Sequence, residues 1–124
     1  MLAGDFFYIT SLEQESGKIN AVLEINDTHS IFEGHFPGQP VVPGVCMMQM
    51  VKEILESALT IKTKLVSAGQ MKFLTIIDPT ENNSIHATIK YTVEEDGKIK
   101  LGASLVDDTV VYFKMDGVLA PLPR

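Results

Sequence analysis

The sequence predicts an α+β fold in which an antiparallel sheet of about five to six strands wraps around one long helix. Segments rich in β-branched and aromatic residues recur along the chain, and turn residues separate them. One segment, residues 45–59, contains neither Gly nor Pro and is rich in Met, Leu and Glu, which favour a helix. With 124 residues and no linker, the chain is expected to form a single domain over residues 1–124.

Aromatic and β-branched residues mark the first predicted strand, over residues 5–14, and a turn at residues 15–18 leads into the second. The second strand, over residues 19–25, alternates apolar and polar side chains except at Val22. These two strands are predicted to form a hairpin. Four further strands are expected over residues 64–77, 84–94, 98–106 and 110–119, with turns over residues 78–83, 95–97 and 107–108.

The predicted helix changes character along its length. Residues 45–51 are apolar nearly all round, which is typical of a buried segment, and Gln49 is the only strongly polar side chain among them. The second half is amphipathic, with Lys52, Glu53 and Glu56 expected to face solvent. Gln49 shares a helix face with the two glutamates, so it either begins a solvated stripe or has a role of its own.

The segment of residues 34–45 precedes this helix and holds three Pro and three Gly in twelve residues. Proline fixes φ and lacks an N–H, and glycine permits positive φ, so this composition predicts a shaped loop. Pro43 stands at the first turn of the helix, where proline is tolerated. The loop contains His35, and the unpaired N–H groups at a helix N-terminus can polarise a carbonyl. This combination indicates an active site.

The same segment reads Gly-His-Phe-Pro-Gly-x-Pro-x-x-Pro-Gly-Val and closely resembles the signature of 3-hydroxyacyl-(acyl-carrier-protein) dehydratases of the FabZ/FabA type, which have the hotdog fold. Weaker similarity follows at residues 71–74 and 78–79, so the resemblance covers roughly residues 20–90. It implies a lyase that removes water from 3-hydroxyacyl thioesters to give trans-2-enoyl thioesters, in fatty-acid or related acyl or polyene biosynthesis. It also implies that two subunits pair to build each site, in a homodimer or a trimer of dimers.

The resemblance assigns roles to individual residues. His35 is implied as the base that removes a proton from C2 of the acyl chain, which suits a side chain that titrates near neutral pH. The backbone N–H of Gly44, with that of Val45 beside it, is implied to hold the thioester oxygen, and glycine leaves room for the ligand. The residues implied to line the acyl tunnel are Phe32, Phe36 and Pro43.

The chain departs from the family at Gln49, where the dehydratases have Glu or Asp contributed by the partner subunit's helix. A carboxyl group donates a proton and takes it back, whereas a glutamine amide only exchanges hydrogen bonds. Losing a general acid or base commonly costs about 10² to 10⁴ in rate. Gln49 is therefore expected to hold a hydroxyl or a water molecule without protonating it. Glu53 lies about 6 Å further along the helix and is a poor substitute.

Three functions are consistent with this pattern. The first is a dehydratase that works with His35 alone as acid and base, or with Gln49 positioning a water molecule. The second is a hotdog thioesterase in which Gln49 orients a hydrolytic water and the Gly44 N–H holds the carbonyl. The third is an acyl-binding or complementing subunit that keeps His35 and borrows a Glu from a paralogue in a mixed dimer. The Pro/Gly loop favours the dehydratase over the thioesterase.

Composition narrows the possible partners. The net charge of −6 argues against a nucleic-acid binder, which needs a basic surface. Acyl carrier proteins, the partners that the resemblance implies, are themselves acidic, so docking one needs a local basic patch. The candidate residues for such a patch are Lys62, Lys64, Lys72 and Lys90.

The remaining features predict no membrane span, metal or cofactor. No apolar run reaches the roughly 18 residues that cross a bilayer, and the single Cys46 fits a reducing cytoplasm. Cys46 has apolar neighbours and is expected to pack in the core. No Cys/His cluster has metal-ligand spacing, and no Gly-rich phosphate loop is present. His29, in a polar connector, and His86, on the wet face of a strand, are expected to have no catalytic role.

Overall fold

The computed structural model describes residues 2–34 and 40–123. His35 and Phe36, two of the residues singled out above, lie outside the described residues. The elements, in chain order, are β1 Phe7–Glu15, β2 Lys18–Ile25, α1 Ile31–Gly34, α2 Gly44–Leu59, β3 Thr63–Phe73, β4 Ser84–Val93, β5 Ile99–Asp107 and β6 Val110–Pro121.

The six strands form one sheet in the order β1-β2-β4-β5-β6-β3, and every neighbouring pair is antiparallel. The sheet and α2 confirm the predicted α+β class and the hotdog fold. Because β3 pairs with β6 rather than with its sequence neighbours, α2 and β3 together carry the chain from one side of the sheet to the other edge. No helix in the described ranges is long and apolar enough to cross a membrane.

The strand predictions are confirmed, with shifts at two ends. β1 begins at Phe7 rather than at residue 5, because the carbonyl of Leu2 accepts hydrogen bonds from the next residues and closes a tight turn. β3 ends at Phe73 rather than at residue 77, because the N–H groups of Leu74 and Thr75 both donate hydrogen bonds to the carbonyl of Tyr112. Two consecutive N–H groups on one acceptor interrupt the alternating pattern of a strand. The short helix α1 lies in the connector that the sequence left without structure.

The core lies between α2 and the concave face of the sheet. Met50, Ile54 and Leu55 of the helix are fully buried, and they meet the inward-facing residues of the strands. Burial of each large aliphatic or aromatic side chain contributes about 1.5–3 kcal/mol. The fully buried strand residues include Ile19, Leu23, Ile85, Ile89, Leu105 and Phe113.

The predicted solvent face of α2 is wrong for two residues, since Glu53 is only 3% exposed and Glu56 only 8%. The Glu56 carboxylate accepts hydrogen bonds from the N–H and hydroxyl of Thr63, at 2.7 and 3.1 Å, and from Lys52 at 3.0 Å. Helical periodicity could not reveal the two donors of Thr63, because Thr63 belongs to the next strand. Glu56 therefore joins the end of α2 to the start of β3.

The pH dependence of stability tests this junction. Burial disfavours ionisation of Glu56, yet hydrogen bonds from Thr63 and Lys52 hold the pKa of its carboxyl below the ordinary value. Its contribution is therefore complete above the unfolded-state pKa, about 4.3, and is lost as the pH falls through the lower folded-state pKa. We expect Glu56→Gln to lower the free energy of unfolding at pH 7 by about 1–3 kcal/mol and to flatten its fall in acid.

Urea unfolding at a series of pH values measures this effect. Glu13→Gln is the matched control, because Glu13 is an exposed carboxyl on β1. If the free energy of unfolding falls in acid as steeply for Glu56→Gln as for the unsubstituted protein, Glu56 does not hold the helix to β3.

Candidate active site

The site begins at the N-terminus of α2. Pro43 precedes the helix with φ −62° and ψ 146°, and no side chain caps it. The carbonyl of Pro43 accepts the N–H groups of Cys46 and Met47, at 3.0 and 3.3 Å. Within the described ranges, the N–H groups of Gly44 and Val45 have no hydrogen-bond partner. Two amides at the positive end of a helix are therefore available for an oxygen that carries negative charge.

A close contact explains the glycine at the first position of this helix. A Cβ atom at residue 44 would lie 2.7 Å from Cε1 of Phe73, so a larger residue would displace the aromatic ring. The Phe73 ring in turn packs on Phe113, with 5.1 Å between ring centroids. Gly44 therefore lets the end of β3 lie directly against the start of α2.

The residues just before the helix are anchored to the chain that follows β3. The N–H of Val42 donates to the carbonyl of Ile77 over 2.9 Å, and Val41 and Val42 are both buried. Residues 40–43 are thus held on the body of the protein, immediately after the segment that carries His35. The structure describes these four residues, whereas His35 lies outside the described residues.

Exposed apolar side chains occur on the first turn of α2 and around the end of β3. Val45, on the first turn of α2, is 68% exposed, and Phe73 is 55% exposed. Leu74 and Ile76, in the segment after β3, are also more than half exposed. Large apolar groups that remain open to solvent in a single protomer commonly mark a binding or association surface.

Gln49 and Glu53 form a hydrogen-bonded pair one turn apart on α2. The side-chain nitrogen of Gln49 donates to Oε2 of Glu53 over 2.9 Å. The same carboxylate accepts the N–H of Leu2, 2.9 Å from both oxygens, and the N–H of Ala3 at 2.8 Å. Glu53 is therefore a buried acceptor that ties the beginning of the chain to the middle of the helix.

This pairing determines how Gln49 is presented. A carboxylate accepts hydrogen bonds and donates none, so the amide nitrogen of Gln49 must face Glu53. The amide oxygen and the second N–H of the half-buried Gln49 have no partner among the residues that the structure describes. The side chain is thereby able to orient a hydroxyl or a water molecule. Sequence reasoning placed Glu53 on the solvent face and missed its hydrogen bond to Gln49, for which the spacing of four residues was the available signal.

Phe32 belongs to a small cluster next to α1. Its ring packs on Phe6 with 5.5 Å between centroids, and Phe6 meets His29 edge-on at 5.3 Å. His29 accepts the N–H of Ile31 at Nδ1, so its Nε2 carries the proton that it shares with Asp5 at 3.1 Å. His29 is thus engaged in local structure, whereas the part of Phe32 and Pro43 in an acyl tunnel remains a prediction.

The surroundings of two further side chains argue against a catalytic role for either of them. Cys46 is buried, and burial raises the pKa of its thiol above the ordinary value, so it stays protonated and unreactive near neutral pH. His86 is exposed on β4, on the sheet face opposite α2. Among the described residues, no group of His, Cys, Asp and Glu side chains has an arrangement that holds a metal ion.

Comparison with known sequences supports a dehydratase ancestry. A FabZ 3-hydroxyacyl-(acyl-carrier-protein) dehydratase from Janthinobacterium sp. is 28% identical over 123 residues, covering 88% of this chain and 70% of that protein. The FabZ of Lactobacillus helveticus is 31% identical over 84 residues, 61% of this chain. That match covers 56% of the Lactobacillus protein, so the chain spans little more than half of the relative's length.

Solved structures show the same fold at low sequence identity. A chain of the dehydratase heterocomplex ApeI:P from Xenorhabdus doucetiae superposes with a TM-score of 0.66 at 21% identity, covering 90% of this chain and 96% of that one. A mutant thioesterase from Staphylococcus aureus superposes with a TM-score of 0.67 at 14% identity, covering 94% and 93%.

The family model gives the more specific assignment. The model of the ApeI-like family, described as ApeI dehydratase, matches residues 11–111, which include most of the sheet, all of α2 and the Pro/Gly segment before it. The chain therefore belongs to the ApeI-like dehydratase family.

Proposed function

We propose that the protein is a dehydratase that removes water from 3-hydroxyacyl thioesters, with the acyl chain delivered on an acyl carrier protein. The observation that carries the proposal is the pair of Gly44 and Val45 amides at the start of α2, which have no partner among the described residues. They follow directly on the segment that holds His35, and exposed apolar side chains lie beside them. The proposal places the protein in the cytoplasm, in fatty-acid or related acyl biosynthesis.

The first step is removal of a proton from C2. Neutral His35 takes the proton, and the electron pair of the C2–H bond moves into the thioester, so negative charge develops on its oxygen. The Gly44 and Val45 amides, with the positive end of the α2 dipole behind them, stabilise that charge. Glycine at position 44 leaves room for the Phe73 ring beside these amides.

The second step releases water. The electron pair returns to form the C2–C3 double bond, the C3–O bond breaks, and the hydroxyl leaves with the proton that His35 carries. Gln49 does not protonate the hydroxyl, since its amide does not titrate usefully. Its amide oxygen and second N–H instead hold the hydroxyl in line, and Glu53 keeps the amide in that orientation. The product is the trans-2-enoyl thioester.

The proposal includes assembly through β3. This strand is at one edge of the sheet, and only Thr63 of its eleven residues is buried. Its exposed apolar residues include Leu65, Val66 and Met71, whereas the opposite edge strand, β1, is mostly polar over its second half. An apolar edge strand with free backbone groups is a template for pairing with a second protomer.

A complementing subunit is the second candidate function. The observation that favours it is Gln49, which stands where the resemblance to the dehydratases implies a carboxyl group. The structural neighbour from Xenorhabdus doucetiae is a heterocomplex, and a mixed dimer here could supply a Glu from a paralogue. The thioesterase alternative has support only from the fold of the Staphylococcus aureus neighbour.

Turnover tests the principal proposal. We expect purified protein to convert a 3-hydroxyacyl-carrier thioester to the 2-enoyl species, followed by mass spectrometry in both directions. His35→Ala should lower the rate by at least about 10², because the base is lost. His86→Ala is the matched control and should retain the rate, since His86 is on the opposite face of the sheet.

The reaction products distinguish the dehydratase from the thioesterase and from the complementing subunit. Free acid in place of the enoyl thioester would identify a thioesterase. Turnover that appears only after a Glu-containing paralogue is added would identify a complementing subunit. An unchanged rate for His35→Ala would remove His35 as the base.

Gln49→Glu gives a second prediction. It places two carboxyl groups one turn apart where an amide–carboxylate hydrogen bond of 2.9 Å now exists. The pair then shares a proton, and its pKa rises because two adjacent carboxylates resist full ionisation. We expect turnover to rise about tenfold or more, with the gain largest below neutral pH, where the pair carries its proton.

The double variant Gln49→Glu with Glu53→Gln is the matched control. It exchanges the two groups and keeps one carboxyl and one amide, so the gain should persist without the raised pKa of a dyad. Rates equal to those of the unsubstituted protein in both variants would show that a carboxyl at position 49 is not what limits the reaction.

The association surface gives a third prediction. Val66→Asp places a charge on the exposed apolar edge of β3, where Val66 is 46% exposed. We expect sedimentation velocity to show a single chain of 13.6 kDa for this variant and a dimer for the unsubstituted protein. Leu12→Asp, on β1 and 38% exposed, should leave the dimer intact. The reverse result would assign association to β1.

A further inference from the structure

The ring of Phe73, at the end of β3, contacts the start of α2. The three atoms nearest to a Cβ atom built at residue 44 all belong to this ring: Cε1 at 2.7 Å, Cζ at 3.1 Å and Cδ1 at 3.3 Å. The ring therefore touches the first residue of the helix. The N–H groups of Gly44 and Val45 belong to the same turn, and they have no partner among the described residues.

The neighbours of Phe73 on β6 fix the position of its ring. Phe73 is the register partner of Phe113, and the two rings pack with 5.1 Å between their centroids. Phe113 is fully buried, so the Phe73 ring rests on the core. The N–H groups of Leu74 and Thr75 donate to the carbonyl of Tyr112, which ends the strand directly after this residue. The ring is thus held against the helix start.

Phe73 is nevertheless 55% exposed, whereas its register partner Phe113 has no exposed surface. An aromatic ring that stays half in water forgoes part of the free energy that full burial contributes. The contact also requires glycine as the first residue of α2, and glycine stabilises helices less than alanine does. Both costs arise at one contact. Proteins accept such local costs where a functional site requires them.

Association through β3 is the alternative explanation for the exposed ring, because other apolar residues of that strand are exposed too. Phe73 differs from them in its contact with Gly44. A surface that serves association alone needs apolar area, but it does not need a glycine at the start of a neighbouring helix. The contact with residue 44 therefore favours a role for Phe73 at the amides.

Water competes with the substrate for these amides. In the proposed reaction, negative charge develops on the thioester oxygen, and hydrogen-bond donors stabilise that charge most strongly where water is excluded and the effective dielectric constant is low. A phenyl ring beside the amides excludes water from one side. It has no group that competes for their hydrogen bonds, since its surface is apolar.

We propose that Phe73 is a positioning residue of the site, whose ring shields the Gly44 and Val45 amides from water and keeps the thioester oxygen on them. The part that concerns the thioester rests on the proposed dehydratase function, whereas the shielding is a property of the protein without substrate. The ring contributes to kcat more than to KM, because the charge on the oxygen is largest in the transition state.

Phe73→Leu tests this role. Leucine keeps apolar volume on Phe113 but lacks the two ring atoms nearest to residue 44, so the variant should fold and lose the contact. With the 3-hydroxyacyl-carrier thioester as substrate, we expect kcat to fall about fivefold or more while KM changes less than about twofold. Phe73→Met should retain most of the rate, because its long and flexible side chain still reaches residue 44.

Val93→Ala is the matched control, because Val93 is 59% exposed at the opposite end of the sheet. It should leave both kinetic constants unchanged. An unchanged kcat for Phe73→Leu would overturn the proposal. A change in the oligomeric state of Phe73→Leu, measured by sedimentation velocity, would assign the ring to association and would also overturn it.

Proton exchange between water and the Gly44 and Val45 amides, measured by NMR, tests the shielding without turnover. We expect exchange at least about threefold faster in Phe73→Leu and unchanged exchange in Val93→Ala. Equal exchange rates in Phe73→Leu and the unsubstituted protein would overturn the proposal. If the unsubstituted protein has no turnover, the proposed function fails, and the exchange rates still decide whether Phe73 shields the amides.

The double variant Gly44→Ala with Phe73→Leu separates shielding from simple space filling. Gly44→Ala alone should slow turnover, because its methyl group displaces the ring. Removing the ring relieves that clash, yet the double variant should be no faster than Phe73→Leu, since the amides remain open to water. Turnover equal to that of the unsubstituted protein would show that the ring only fills space, and this result would overturn the proposal.

Discussion

The contact between Gly44 and the Phe73 ring is the constraint on which the candidate site depends. It is possible only because residue 44 has no side chain, and it brings the last residue of β3 against the first residue of α2. The helix start, with the amides of Gly44 and Val45, is thereby fixed relative to the apolar edge strand. The anchoring of Val42 to Ile77 adds a second attachment on the same side. The amides proposed to bind the thioester oxygen and the edge strand proposed for association therefore form one structural unit.

Two buried carboxylates complete the placement of α2. Glu53 binds main-chain amides at the beginning of the chain, and Glu56 binds Thr63 at the beginning of β3. A buried carboxylate is stable only when hydrogen-bond donors surround it, and main-chain N–H groups from other elements supply them here. The helix is consequently fixed at its middle by one glutamate and at its end by the other. Neither carboxylate is free to act on a substrate.

Most of the fold was predictable from the sequence, because strand alternation and a helix without Gly or Pro are local signals. The ends of β1 and β3 were not, since they depend on hydrogen bonds to Leu2 and from the chain after Phe73. The burial of Glu53 was also hidden, because its donors are about fifty residues away in sequence. The composition of the Pro/Gly segment predicted the amides at the start of α2, whereas His35 could be assigned only by resemblance.

The pairing of Gln49 with Glu53 explains how a helix can hold a carboxyl group near the site without offering it for proton transfer. The carboxylate lies one turn further along, and its oxygens are occupied by Leu2, Ala3 and Gln49. What it supplies to the site is orientation, because a group that only accepts hydrogen bonds dictates which end of the Gln49 amide faces it. In the proposed reaction, proton transfer then depends on His35 or on a second chain, and Gln49 on α2 holds the departing hydroxyl.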